Sequence, residues 1–495
     1  MGRLIFAEEN VKSSICSLSS LKESLVGLVI GQSTTQKDIV CHLAPLPKDI
    51  NTSGNEKKSQ KTNKAAEAKR KNWEDFDEKW IVQQARQVVR MLPGGLNVLG
   101  IFVVSPADAL PAQTYQKVKQ FLLAVFKFLD RHEFQISTNT VPDKVILHVC
   151  SASEKVVARS LDVSNLQNFI KPAEFKFQPN STWHRLDCRV ALDFSFPFNA
   201  DQTTCSLHKQ IHAGVLPFFS ALKMSIVSVN GKIRKANEFL EEPKSKTKQK
   251  SKSKETVSSE KIHSVDVYMQ QLSRIGDETA CVIEDCQLKM QLRGTLQSRS
   301  YVHSRATVGE AEEAVRQDII RSLIARCEIH CEDLLLIDED QQDPNVVHEP
   351  PRRVFANLPG SDITVSDYLF PGEKARDSLA AYKELLGLDL TEDQVEFQRE
   401  RLAEESDLQR VPSERGCLVP STSDILSIPT TSKSTCNLLG VDRALNSNLN
   451  RVVYFDYIFL SSSFNRRRGR FRCLPVVFVN LVNEYRRQAR GKLTI

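Results

Sequence analysis

The chain has 495 residues, of which 41% are hydrophobic, so it is long enough for two or three domains with real cores. Its 67 basic and 61 acidic residues leave a net charge of +6, too small an excess to indicate a nucleic-acid partner, whose surface needs clustered cations. The 12 cysteines are scattered, and Cys41, Cys150 and Cys188 lie in apolar surroundings typical of reduced, buried cytosolic thiols. No stretch reaches the roughly 18 consecutive apolar residues of a transmembrane helix, and the apolar N-terminal run is too short for a signal peptide.

The N-terminal region is predicted to contain three strands and a helix. Residues 2–9 form the first strand, and Asn10 is the expected N-cap of the helix that follows. A buried strand runs over Leu25–Gly31, and its hairpin partner over 38–46. Residues 48–71 lack apolar periodicity and are rich in Lys, Asn, Ser and Glu, so they are predicted to be a disordered insertion.

The centre of this region is a buried strand between two amphipathic helices. The first helix, over 73–92, ends at Pro93-Gly94-Gly95. Leu96–Val104 is apolar and β-branched almost throughout, as expected of a strand buried on both faces. A second helix, over 118–129, has one apolar face. The order helix, buried strand, helix predicts the α/β class with an α-β-α arrangement of layers.

Composition divides the chain into successive segments. Residues 1–172 are predicted to form an α/β domain, and residues 173–338 a second, smaller α/β unit with a flexible Lys/Ser-rich loop at 241–261. In residues 339–405 the packing signal fades, and we expect short helices and loops, including a loop at Pro350–Arg353.

Residues 406–495 are predicted to be a mostly disordered tail. Val452–Leu460 and Leu474–Val482 are apolar, but each is about half the length that a bilayer requires. The arginine-rich stretch Arg466–Arg472 between them is a candidate for peripheral membrane contact. The Lys-rich runs at 57–71 and 244–254 are interpreted as solvated linkers, because neither contains interleaved aromatic residues.

The stretch Gly100–Pro106, a strand with a glycine followed by Ser-Pro, resembles the metalloprotease-type MPN domain. The resemblance places that family's two metal-binding histidines on Val103 and Ser105, and its serine and aspartate on Gln113 and Gln116. None of these residues can supply the imidazole or carboxylate that such a zinc site needs. The resemblance therefore implies a catalytically inactive, MPN-like N-terminal domain without a metal.

Five short motifs follow one another along the chain: Met1-Gly2-Arg3, Gly27–Gln32, Gln36-Lys37-Asp38, Met91–Gly95 and Leu292-Arg293-Gly294. With these motifs, the chain resembles the odorant-response abnormal protein four family over about residues 1–440. The resemblance implies a non-enzymatic adaptor at the cytosolic face of the endoplasmic reticulum membrane, without a cofactor or catalytic residues. It also implies trafficking of some G-protein-coupled receptors and binding to the protease of the ubiquitin-fold modifier. Family members end in a hydrophobic tail helix that the C-terminal residues here do not match, which favours a cytoplasmic location for this chain.

Several histidine and cysteine groups have spacings that metal sites use. His208 and His212 share one face of a predicted helix, with Cys205 a turn earlier. Cys327 and Cys331 flank His330 near a helix end. Neither group has a matching second cluster, so a polar helix face and buried thiols are the favoured interpretations.

The alternative function is an active hydrolase. It would be either metal-dependent at the MPN-like cleft or thiol-dependent through Cys188 or Cys205. Cys281 and Cys286 are too far apart in sequence for a redox pair. No local signature supports a cysteine nucleophile, so the adaptor hypothesis is preferred.

Overall fold

The computed structural model describes residues 3–21, 24–47, 77–129, 141–165, 167–179, 182–198, 206–241, 261–269, 288–334 and 350–400. The predicted insertion at 48–71, the interior of the Lys/Ser-rich loop and the tail at 406–495 lie outside the described residues. Most described residues, up to Cys327 and again over 350–400, belong to one compact unit that contains all three sheets.

The N-terminal part is built on an eight-stranded sheet with the spatial order β7-β6-β5-β4-β2-β3-β1-β8. Strand β4 pairs parallel with β5 and antiparallel with β2, so the direction of pairing changes at the centre of the sheet. The strands are β1 (Leu4–Glu8), β2 (Leu25–Ser33), β3 (Lys37–Pro45), β4 (Asn97–Ser105), β5 (Asp143–Cys150), β6 (Val156–Asp162), β7 (Lys171–Pro172) and β8 (Glu174–Gln178).

Helices cover both faces of this sheet. Helix α1 (Glu9–Ser20) packs on one face, where alternate residues of β4 and β5 such as Phe102 and Leu147 are buried. Helices α2 (Glu78–Met91) and α3 (Ala112–Leu129) pack on the other face. Burial on both faces explains why β4 is apolar without alternation. The predicted α/β class and α-β-α layering are confirmed.

The start of α1 differs from the prediction. The N-cap is Glu8, the last residue of β1, and Asn10 lies inside the first turn, where its amide donates to the Cys41 carbonyl (3.3 Å). The chain passes from strand to helix without a loop, so the paired end of β1 fixes where the helix begins. Trp183 Nε1 also donates to the Glu8 carboxylate (2.7 Å). This hydrogen bond connects the junction of β1 and α1 to the residue just before the first strand of the second sheet.

A second sheet has the order β10-β11-β9-β12 and is flanked by two helices. Its longest pair, β9 with β12, is antiparallel over fifteen residues each. Because β8 extends the large sheet past the predicted boundary at Pro172, the two sheets follow one another with almost no linker. The elements are β9 (His184–Phe198), α4 (Leu207–Lys223), β10 (Ile226–Val229), β11 (Lys261–Tyr268), β12 (Leu288–Val302) and α5 (Val308–Leu334).

The third sheet corrects the prediction for residues 339–405, which is wrong at Pro350–Arg353. Instead of loops, this part contains β13 (Arg352–Asn357), β14 (Thr364–Leu369) and β15 (Val395–Glu396) in the order β14-β13-β15. Arg353, which was predicted to lie in a loop, is in β13 and only 1% exposed, because it forms an ion pair with the Asp318 carboxylate of α5.

Short helical segments, as predicted for the same part, are present. Helix α6 (Ala375–Leu386) ends at Gly387, whose left-handed backbone is the usual way to close a helix. A 3-10 turn over Glu392–Gln394 follows Thr391. No helix within the described ranges combines the length and apolar composition needed to cross a bilayer.

Candidate functional site

The four positions that the MPN resemblance assigns to metal binding and catalysis do not converge on one site in the structure. Val103 is fully buried inside β4. Ser105 ends the same strand, whereas Gln113 and Gln116 are exposed in the first turns of α3. The pattern is therefore divided between an apolar strand and a polar helix face, and these four residues offer no imidazole or carboxylate to a metal.

A polar group that sequence reasoning missed lies at the carboxyl ends of the parallel strands β4 and β5. This strand-end cluster consists of Ser105, Asp108, His148 and Cys150. Ser105 Oγ lies 3.0 Å from His148 Nε2, and Cys150 Sγ donates to Asp108 Oδ1 at 3.2 Å. Asp108 also accepts a hydrogen bond from Ser153 (3.0 Å), and these hydrogen bonds lower its pKa.

The strand-end cluster contains a serine and an imidazole but not the geometry of a catalytic triad. Burial lowers the pKa of His148, so the ring is neutral at pH 7. His148 Nδ1, which a triad carboxylate would orient, has no hydrogen-bond partner among the described residues. The Asp108 carboxylate is bonded to Cys150 and Ser153 instead. The arrangement stabilises the strand ends without activating Ser105.

Of the two cysteines proposed for a thiol-dependent hydrolase, Cys188 is poorly placed for that chemistry. Burial, with smaller contributions from nearby carboxylates, raises the pKa of Cys188 to about 12, so its thiol stays protonated at neutral pH. A cysteine nucleophile needs the opposite shift. Cys205, Cys281 and Cys286 lie outside the described residues.

The most elaborate polar arrangement surrounds the loop between α2 and β4. Two neighbouring side chains of α5 cap two neighbouring backbone amides of this loop. Gly94 N–H donates to Asp318 Oδ1 (2.8 Å), and Gly95 N–H donates to Gln317 Oε1 (3.0 Å). One turn further along α5, Arg321 donates to three carbonyls of the loop. We call Gly94, Gly95, Gln317, Asp318 and Arg321 the glycine joint.

Arg321 holds the other side of the loop. Its Nη1 donates to the carbonyls of Leu92 (3.2 Å), Pro93 (3.1 Å) and Leu96 (3.0 Å). Its Nη2 donates to the Asn97 side chain (2.8 Å). Burial lowers the pKa of Arg321 to about 10, so the guanidinium remains charged at neutral pH. Among the described residues it forms no ion pair, and the carbonyl dipoles of the loop and the nearby charge of Asp318 stabilise the guanidinium.

Asp318 is the ionic centre of the glycine joint and is fully buried. Arg353 of β13 binds both of its oxygens, at 2.8 and 3.0 Å, and Arg299 N–H donates to Oδ2 at 3.0 Å. Burial alone would lower the pKa of Arg353, but the Asp318 carboxylate, together with Tyr368 and Glu400, raises that pKa. Arg353 N–H in turn donates to Glu400, which also binds Arg326 (2.5 Å). All three sheets are thereby connected to one helix.

Glycine is required at both loop positions. A Cβ on Gly94 would lie 2.0 Å from the Ala314 carbonyl oxygen, and one on Gly95 would lie 2.0 Å from that of Tyr301. Gly95 also has a φ of +84°, which L side chains rarely adopt. The backbones of the loop, α5 and β12 therefore approach more closely than any side chain would permit.

Four of the five motifs found in the sequence meet in pairs. Gln32 of β2 donates to the Gly95 carbonyl (3.0 Å) and accepts from His303 N–H (2.9 Å), so the second motif reaches the fourth at the glycine joint. Arg3 binds Asp38 through two nitrogens, at 2.6 and 2.7 Å, which joins the first motif to the third. The fifth motif lies in β12, and Gly294 there pairs with Leu192. These residues hold backbone in place and offer no nucleophile or acid–base pair.

The two histidine and cysteine groups whose spacings resemble metal sites are both found on helices. His208 and His212 share a face of α4, with ring centroids 6.3 Å apart, which confirms the predicted spacing. Cys327 and Cys331 lie within α5. Among the described residues, however, the one group of three potential ligand side chains that converges is a different one, formed by His184, His263 and Glu241.

The odorant response abnormal 4-like family model matches residues 27–397, about three quarters of the chain. The chain belongs to this family. The family assignment made from the five motifs is therefore confirmed.

Curated relatives in mammals and in a nematode also match the chain. The "Protein odr-4 homolog" of Mus musculus is 30% identical over 81% of this chain and 86% of its own length. The Homo sapiens homolog has the same identity and coverage. "Odorant response abnormal protein 4" of Caenorhabditis elegans is 22% identical over 68% of this chain and 70% of its own length.

Among solved structures, UfSP from C. elegans aligns with 78% of this chain and 56% of its own chain. The two are 9% identical, and the TM-score is 0.36, too low to establish a common fold.

Proposed function

We propose that this chain is a non-enzymatic adaptor that assists the trafficking of a subset of G-protein-coupled receptors at the endoplasmic reticulum membrane. The family match over residues 27–397 carries the proposal, because the name of the C. elegans relative refers to the odorant response. We further propose that the chain binds the protease of the ubiquitin-fold modifier. This partner is inferred from the family resemblance of the motifs.

The placement of polar groups supports an adaptor more than a hydrolase. The glycine joint is a buried polar network that connects the three sheets to one helix, as a rigid binding platform requires. The candidate nucleophiles Ser105 and Cys188 are 8% and 2% exposed, and burial of Cys188 raises its pKa rather than lowering it. An adaptor needs only a specific surface, and about 1,600 Å² of total buried area suffices for a stable complex.

The proposal is tested by tagging the full chain at its N-terminus in cells that lack the endogenous protein. Pull-down should recover the modifier protease, and surface labelling should show receptor delivery restored. A second version, with a transmembrane helix added after residue 440, tests whether membrane attachment improves delivery without changing partner recovery. Loss of partner recovery from both versions would contradict the adaptor proposal.

Variants that lack the candidate catalytic groups distinguish the adaptor hypothesis from the hydrolase hypothesis. Ser105→Ala, His148→Gln and Cys188→Ala remove the candidate catalytic groups one at a time. We expect each variant to support receptor delivery as well as the unmodified chain does, once expression levels are matched. A folded variant that still recovers the protease but abolishes delivery would favour the hydrolase.

A further inference from the structure

Two histidines that are 79 residues apart in sequence come into contact at the start of the second sheet. His184 opens β9 and His263 lies near the start of β11, and the two strands pair in parallel with Lys261 opposite His184. His184 Nδ1 and His263 Nε2 are 3.1 Å apart, and both residues are buried. Glu241, the last described residue before the Lys/Ser-rich loop, completes this histidine cluster: the potential ligand atoms all lie within 4.8 Å of one another.

The hydrogen bonds around the cluster define how each ring is protonated. Ser264 N–H donates to Asn230 Oδ1 (3.0 Å), so the amide nitrogen of Asn230 points to His263 Nδ1, also at 3.0 Å, and donates to it. His263 therefore carries its proton on Nε2 and donates to His184 Nδ1. His184 carries its own proton on Nε2, which faces the Ser304 carbonyl at 3.4 Å.

We propose that His184 Nδ1, His263 Nε2 and the Glu241 carboxylate bind one divalent transition-metal ion of the zinc type. Two imidazole nitrogens on a tetrahedral zinc ion, at 2.0–2.1 Å from the metal, lie about 3.3 Å from each other. The observed separation of 3.1 Å needs only a small opening to admit the ion. Two histidines and one carboxylate leave the fourth position for water, as in other zinc sites with three protein ligands.

The surroundings suit a metal in two further respects. The hydrogen bonds leave each of the two rings with a single proton, which is the neutral form that binds metals. The bond from His184 Nε2–H to the Ser304 carbonyl is the kind of outer contact that orients metal-bound histidines. When His263 binds through Nε2, its proton moves to Nδ1, and the exposed Asn230 amide turns over to accept it, giving up the hydrogen bond from Ser264 N–H.

The Lys261 ammonium would compete with a metal ion for the Glu241 carboxylate. Its ammonium forms an ion pair with the Glu241 carboxylate, and both side chains are more than a third exposed, at 37% and 38%. An exposed pair of this kind contributes little, so metal binding can displace the ammonium into solvent. The bound ion would then replace an ion pair at the base of the Lys/Ser-rich loop with a three-ligand link between β9, β11 and Glu241.

The proposal is tested on the purified full chain after dialysis against a chelator, using zinc chloride alone as the probe. We expect one tightly bound zinc ion per chain by elemental analysis and calorimetry. Cobalt substituted for zinc should give the visible absorption bands of a tetrahedral ion. Glu241→Gln should weaken zinc binding at least about tenfold, the lower end of what losing even an outer-shell partner costs.

Two variants serve as controls. His208→Ala combined with His212→Ala removes the partly exposed histidine pair of α4, an alternative zinc-binding group, and should leave the stoichiometry at one. Lys261→Gln removes the competing ammonium at a partly exposed position and should strengthen binding about two- to fivefold, the equivalent of an exposed ion pair.

Three results would overturn the proposal. The first is that the chelator-treated chain binds no stoichiometric zinc. The second is that binding survives Glu241→Gln but disappears with the His208 and His212 double variant. The third is that Lys261→Gln, which disturbs no buried group, weakens binding or leaves it unchanged.

Discussion

The glycine joint and the strand-end cluster each bury a titratable side chain, Asp318 in the joint and His148 in the cluster, with opposite consequences for its charge. In the joint the charges are retained: Asp318 accepts hydrogen bonds from Gly94, from Arg299 and twice from Arg353. In the strand-end cluster the exposed Asp108 carboxylate keeps its charge, but the buried His148 is neutral, because burial lowers its pKa. A buried ion is tolerated where several donors surround it, whereas a histidine with one partner can release its proton.

This difference predicts that loss of a partner is most costly in the glycine joint. Asp318→Ala leaves Arg353 buried without its counter-ion and leaves two backbone N–H groups unpaired. We expect a loss of about 3–5 kcal/mol in the free energy of unfolding, measured by urea denaturation. Asp108→Ala, which removes a carboxylate from the strand-end cluster, should have a much smaller effect.

A double variant distinguishes the ion pair from the rest of the joint. If the cost of Asp318→Ala comes from the unpaired guanidinium, then adding Arg353→Met should recover part of the lost stability. If the double variant is as unstable as Asp318→Ala or less stable, the cost comes from the hydrogen bonds that Asp318 accepts from backbone N–H groups and not from its charge.

The close approach of backbones in the joint predicts the next largest effect. Gly95→Ala should cost about 2–4 kcal/mol, because the residue has positive φ and the new methyl would overlap the Tyr301 carbonyl. Gly372 is a matched control with the same φ of +84° and no atom within 4 Å of the added Cβ. Gly372→Ala should cost only the strain of placing an L residue at positive φ, about 1–2 kcal/mol. Thermal unfolding of the two variants gives the comparison; equal costs would exclude a packing role for Gly95.

The sequence predicted the parts of the fold that depend on local pattern. The apolar run of β4 and the amphipathic faces of α2 and α3 were sufficient to give the α-β-α layers. The five motifs were sufficient to assign the family, but they do not show what these residues do in the fold. Only the structure shows that Gln32 and the Gly94-Gly95 pair are hydrogen-bonded to each other and to α5, more than 200 residues from the loop in sequence.

The parts that sequence reasoning missed depend on distant partners. Arg353 looked like a loop residue because an isolated arginine is rarely buried, and its carboxylate partner is 35 residues away on another element. His184 and His263 meet only through the parallel register of β9 and β11. One local signal was available: Asn230-Gly231, with φ of 53° and 72°, is the usual dipeptide of a tight hairpin turn. That turn presents the amide that orients His263.

The smallest predicted effect is the pH dependence of the strand-end cluster. An unfolded histidine takes up a proton below about pH 6.5, but buried His148 resists it, so the unfolded state binds more protons and stability falls as pH falls below that value. One histidine can contribute at most about 1.4 kcal/mol per pH unit. His148→Gln should therefore make the decline of unfolding free energy between pH 6.5 and 5 shallower. Ser105→Ala, which keeps the buried imidazole, should retain the slope of the unmodified chain; an unchanged slope in His148→Gln would mean that other histidines carry the pH dependence.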